Sequence, residues 1–168
     1  MSALLKLAMT IFVLWLASPC SVSGEETAVF FVVRHAEKAS SGSDPALSPI
    51  GQKRAESLKQ MLQQLRVDSI FSTDFVRTKA TVQPLSVDNN IAIELYRDPT
   101  QEWIDSVIKK GKGKRTLIVG HSNTVPSIVS RLTGNQIPTI GERYDDLFIV
   151  VISENNRSFV SLKYGESH

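Results

Sequence analysis

A chain of 168 residues, 42% of them hydrophobic, carries enough apolar side chain for one core and hardly for two. Nineteen Lys and Arg stand against 17 Asp and Glu, and so near-neutral a balance gives no electrostatic case for nucleic acid or a membrane surface as the main partner. The single cysteine, Cys20, excludes an internal disulfide.

Residues 1–23 differ from the rest. Lys6 is the only charge before Glu25, residues 7–17 are apolar apart from Thr10, and the small, polar SPCSVSG follows. An apolar run of this length is shorter than the about 20 residues needed to span a bilayer, so the pattern reads as an export signal cut after Ser23. The alternatives are a lipid-modified Cys20, for which Ala17 and Pro19 match the lipoprotein pattern poorly, and an uncleaved anchor. Residues 24–168 are then the working domain, expected in the periplasm or outside the cell, with no stable membrane insertion after cleavage.

Residues 28–33 form a short apolar, β-rich run without alternation, the mark of a strand covered on both faces. A Ser- and Gly-rich loop, residues 39–44, leads to Ser48 and Pro49, an N-cap and first helical residue. The helix that follows repeats Ile50, Ala55, Leu58, Met61, Leu62 and Leu65 at spacings of three and four. Residues 67–71 make a second strand, and Ser72, Thr73 and Asp74 are expected to cap a helix ending at Gln83, before Pro84.

A third strand covers residues 91–95, interrupted by Glu94, and a helix over residues 100–109 ends at a GKGK turn. The fourth strand, residues 116–119, is apolar throughout. Ser122 to Thr124 cap a helix that Gly134 terminates, and residues 146–152 and 158–164 close the domain as two strands around a polar ENN turn. Strands alternating with helices imply a three-layer α/β domain with a mostly parallel central sheet.

In such sheets ligands collect at the carboxyl ends of the strands. Strand one ends in Arg34-His35, strand two leads through FSTD to Arg77, strand three carries Glu94, and strand four ends in Gly-His121-Ser-Asn. Two Arg and two His without a carboxylate cluster suit a tetrahedral anion, since each guanidinium presents a planar fork of donors and stays charged. A neutral imidazole among cations is also a competent nucleophile toward phosphorus, and a second imidazole can stabilise charge on the equatorial oxygens.

VVRHAEK, LSPIGQKRAESL, FSTDFVRTKATVQP and IVGHSNT, in that order over residues 29–132, resemble the histidine phosphatase superfamily, phosphoglycerate mutase-like branch with small bacterial members. The resemblance implies a phosphoglycerate mutase-like fold, a phosphorylated nucleophile at His35, and a phosphate pocket of Arg34, Arg77 and His121. It implies a general acid near Glu94, although DPTQEW stands where relatives carry Gly-Trp; Glu37 and Asp44 are the other carboxyls in range. No metal and no organic cofactor are expected.

The function expected is an exported phosphomonoesterase acting on a small phosphorylated substrate or envelope component. A phosphohistidine-protein phosphatase and a phosphomutase are the enzymatic alternatives, and a catalytically inactive phospho-ligand-binding module the alternative of another class. The GKGKR turn, residues 111–115, is expected to be solvated, and Trp103, Phe75 and Phe148 to be core. Nothing in the residues sets an oligomeric state.

Overall fold

In the computed structural model, which describes residues 26–166, the first apolar run becomes β1 (Ala28–Arg34), buried at every position but Val29. The expected signal segment, with Cys20 and the cut after Ser23, lies outside the described residues. β1 pairs in parallel with β4 (Arg115–Gly120) on one side and antiparallel with β5 (Asp146–Ile152) on the other. β2 (Ser69–Ser72) and β3 (Ile93–Leu95) extend the parallel part, and β6 (Arg157–Lys163) extends the antiparallel part, giving the order β3-β2-β4-β1-β5-β6. The expected three-layer architecture is therefore present as a mixed sheet.

Alternate residues of β1 serve opposite faces. Phe31 and Val33, with Leu117 and Val119, pack under α1 (Pro49–Leu62) and α2 (Val76–Asn89) through Leu58, Leu62, Val82 and Leu85. Phe30 and Val32, with Ile118, pack under α3 (Gln101–Lys110) and α4 (Thr124–Thr133) through Ile104, Val107, Ile128 and Leu132. Each such side chain contributes about 1.5–3 kcal/mol relative to exposure. Two apolar faces on one strand explain why its run does not alternate.

The chain leaves β1 toward α1 on one face and leaves the neighbouring β4 toward α4 on the other. The loops after these two strands therefore diverge and open a crevice between the strand ends. Among the described residues, no helix is long and apolar enough to cross a membrane.

Two local expectations are corrected. α2 runs through Pro84 to Asn89, where Asn90 closes it in the left-handed region at φ 53°. Buried Val82 and Leu85 hold the helix on the sheet on both sides of the proline, so packing overrides the missing N–H. The helix also begins later than Ser72 to Asp74 implied: its N-cap is Phe75, which offers no side-chain acceptor. Asp44, from the loop after β1, accepts the Val76 N–H instead at 2.9 Å.

Candidate active site

His35 follows β1 directly, and its backbone N–H donates to the Gly120 carbonyl of β4, continuing the sheet by one bond. Its side chain is buried, with the residue 4% exposed. A carbonyl oxygen sits 2.8 Å from Nδ1, that of Ala36. A carbonyl has no proton to give, so Nδ1 carries the hydrogen and Nε2 the lone pair. The Ala36 N–H in turn donates to Thr81 Oγ1 of α2 at 2.9 Å, which ties the residue next to His35 to the helix that carries Arg77.

His121, after β4, faces His35 with ring centroids 5.3 Å apart at 66°. Burial lowers the His35 pKa to about 3, against the Ala36 hydrogen bond, and the Arg34, His121 and Arg77 charges add to the lowering. Burial, then Arg77 and Arg34, lower His121 to about 4, with Asp44 opposing. Both rings are therefore neutral at ordinary pH, as a nucleophilic imidazole requires.

Arg34 and Arg77 flank the pair. Arg34 is 6% exposed; its Nη1 donates to the carbonyls of Gly141 and Arg143 at 2.8 and 3.0 Å, and its guanidinium lies 3.9 Å over the Tyr144 ring. Arg77 Nη2 reaches His121 Nδ1 at 3.5 Å, while Nη1 lies 3.3 Å from the Ser43 carbonyl and 3.4 Å from Asp44 Oδ1. Nε of each arginine is buried without a partner. Two unpaired cationic N–H groups beside two neutral imidazoles suit an oxyanion, whose oxygens would supply the missing acceptors.

The three carboxyls considered as general acid are separated by the fold. Glu94 does not join the other four residues. It sits beside Phe71 in the pairing of β3 with β2, and lines a cavity of about 290 Å³ with Ser69, Val107, Lys110, Gly111, Lys114 and Thr116, beneath the end of α3 and toward the amino edge of the sheet. Its place on the strand rather than after it aims it at the α3 face. Glu37 accepts Arg54 Nε at 2.8 and 3.0 Å and Arg54 Nη2 at 2.6 Å, a two-pronged pair in which Arg54 is buried and Glu37 half-buried. Of the three, Asp44 alone reaches the Arg77–His121 pair, where it accepts the Val76 N–H at 2.9 Å and lies 3.4 Å from Arg77 Nη1.

Several side chains near the site had no role in the motif reading. Phe75, expected in the core, is 37% exposed and stands edge-on to His121 at 5.0 Å, with Arg77 over its ring at 4.3 Å. Tyr144 touches Arg34 and lies 5.8 Å from the His35 ring. It comes from the loop between α4 and β5, which has no apolar period to place it. Arg54 anchors Glu37, and Gly51 makes room for this contact, because a Cβ there would overlap the Glu37 carbonyl oxygen. Among the described residues, no three His, Cys, Asp or Glu cluster to hold a metal ion.

The model of the histidine phosphatase superfamily (branch 1) matches residues 30–100, from β1 past β3. No curated protein matches in sequence. Solved structures match in fold. The protein histidine phosphatase SixA in its tungstate complex is 17% identical with a TM-score of 0.67, over 80% of this chain and 96% of that one. Mycobacterial glucosyl-3-phosphoglycerate phosphatase is 10% identical with a TM-score of 0.64, over 74% and 90%. Phosphoglycerate mutase from Bacillus anthracis str. Sterne is 14% identical with a TM-score of 0.63, over 82% and 93%.

Proposed function

We propose that this chain, whose motifs resemble those of the histidine phosphatase superfamily and whose fold is that of phosphoglycerate mutase-like histidine phosphatases, is a phosphatase that works through a covalent phosphohistidine. His35 Nε2 attacks phosphorus, the P–O bond to the leaving group breaks, and water then displaces the histidine to release phosphate. Arg34, Arg77 and His121 hold the phosphoryl oxygens. The observation that carries this reading is the bond from His35 Nδ1–H to the Ala36 carbonyl, which commits one nitrogen and leaves the other free to attack. The two arginines neutralise the phosphoryl charge, so no metal ion enters the proposal.

The carboxyl geometry narrows the substrate. Glu94 lies apart, Glu37 is locked to Arg54, and Asp44 is engaged by the Val76 N–H and the Arg77 guanidinium. None of these three stands free to protonate a strongly basic alkoxide, which favours groups that depart with little help: aryl and acyl phosphates, or the imidazole of a phosphohistidine. The apolar, small-residue start of the chain supports placing the enzyme in the periplasm or outside the cell, on a small phosphorylated compound. The phosphohistidine-protein reading is favoured by the same lack of an acid and by the likeness to SixA.

The test uses an aryl phosphate labelled in its phosphoryl group, with an alkaline quench that preserves phosphohistidine. Label should appear on His35 and turn over at the catalytic rate, unaffected by chelator; His35→Ala should accumulate none. Turnover without labelled protein would overturn the mechanism. Alkyl phosphates hydrolysed as fast as aryl ones would overturn the leaving-group argument.

A further inference from the structure

Thr73, just beyond β2, and Thr78, in the first turns of α2, are both buried beside His121. Gripping an anion does not require them, and they determine which His121 nitrogen faces it. The Thr78 hydroxyl shares its one hydrogen between the carbonyls of Thr73 and Phe75, at 2.9 and 3.0 Å. The Thr73 hydroxyl donates to Thr78 Oγ1 at 3.0 Å. Each hydroxyl has one hydrogen, so Thr73 has only lone pairs left for His121 Nε2, 3.0 Å away.

Nε2 must then carry the ring's hydrogen. The nitrogen without one is Nδ1, which faces Arg77 Nη2 in the anion pocket. That is the wrong form for holding an oxyanion, because two lone pairs would oppose each other. With Nε2 keeping its hydrogen, Nδ1 becomes a donor only by gaining a proton.

We infer that an oxyanion enters this site together with a proton that binds His121 Nδ1, and that the Thr73–Thr78 pair enforces this coupling by retaining the hydrogen on Nε2. The proton comes from solvent, or from a phosphomonoester monoanion that then binds as the dianion, and it leaves with the product. Thr73 is a positioning residue: it touches His121 and not the substrate. Every charged neighbour fits this scheme. Arg77 of α2, Arg34 and His35 at the end of β1, and Asp44 of the following loop face the ring; the arginines and burial keep it neutral when the site is empty, and Asp44 opposes them. A bound dianion reverses that balance at contact distance.

The inference rests on the anion-pocket reading above, and calorimetry separates the two. Tungstate is a tetrahedral dianion that carries no proton of its own near neutral pH. Titrated into the purified protein in two buffers of different ionisation heat, it should bind with uptake of about one proton, and its affinity should fall up to about tenfold per pH unit as pH rises. Nitrogen NMR should show His121 as the Nε2–H tautomer when free and doubly protonated in the complex. Thr73→Val, which lets the ring adopt either tautomer, should bind tungstate without proton uptake, whereas Thr73→Ser should keep the coupling.

Binding by the unaltered protein without proton uptake, or a free His121 protonated at Nδ1, overturns the inference. Failure to bind tungstate at all overturns the anion-pocket reading instead. Should Thr73→Val fail to fold, the proton count and nitrogen spectrum of the unaltered protein decide.

Discussion

At the carboxyl edge of the sheet Arg34, His35, Arg77 and His121 lie in one buried or half-buried cluster, each hydrogen-bonded to backbone or to a neighbour in the cluster. At the amino edge Lys110, Lys112, Lys114 and Arg115 stand exposed around the turn after α3, with Glu94 at the nearby cavity. The difference is in solvation rather than in residue type. At the first edge the fold has buried charged groups and left two guanidinium Nε atoms without acceptors, so an arriving oxyanion would complete the hydrogen bonding. At the second, water already does so, and a ligand gains little.

Substitutions test this contrast, most severely at the buried edge. Arg77→Ala should lower kcat/KM for an aryl phosphate by about 10²–10³-fold, the scale of losing a donor that stabilises the transition state. A loss below tenfold in steady-state assays would place Arg77 outside the pocket. Glu37→Gln leaves the buried Arg54 cation unpaired and should cost about 3–5 kcal/mol in denaturant-unfolding experiments. Its pH–rate profile should keep the original shape, since Glu37 is given no proton to transfer; a lost limb would restore it as the acid.

Acid should destabilise the protein through the same buried edge. The folded values of His35 and His121, about 3 and about 4, lie below the ordinary 6.5. The unfolded chain therefore binds protons that the folded chain refuses. Stability is unaffected above about pH 7, declines as pH falls through about 6.5, and continues to decline until the folded values are reached. Denaturation midpoints between about pH 7.5 and pH 5 should show this slope. A flat profile down to about pH 5, where carboxylates start to titrate, would mean that the imidazoles are solvated. The smallest effect belongs to the amino edge: Glu94→Gln should change turnover by less than about twofold, as exposed substitutions away from chemistry do. A larger drop in an initial-rate assay would return Glu94 to the reaction.

Much of the fold was legible because its signals are local. The apolar strands, the Ser48-Pro49 helix start and the Gly134 stop lie where their residues imply, since burial and capping act over one or two turns. Strand-end position alone nominated Arg34, His35 and His121. Where Glu94 sits was not legible, because position along a strand does not tell which end or face a side chain serves; that depends on the register of β3 against β2. Tyr144 and the Arg54 clamp on Glu37 were illegible for a related reason. Each depends on a contact between segments far apart in the chain, Arg54 with Tyr164 being 110 residues apart, and no short pattern records such a meeting.

That last contact has a consequence for how the sheet is closed. Arg54 holds Glu37, two residues from His35, and also donates to the carbonyls of Tyr164 and Glu166 beyond β6. One buried guanidinium thus fastens the loop after β1 to the segment after β6, the edge strand of the antiparallel part. The two strands are clasped by a single side chain as well as by the ladder of β5 between them.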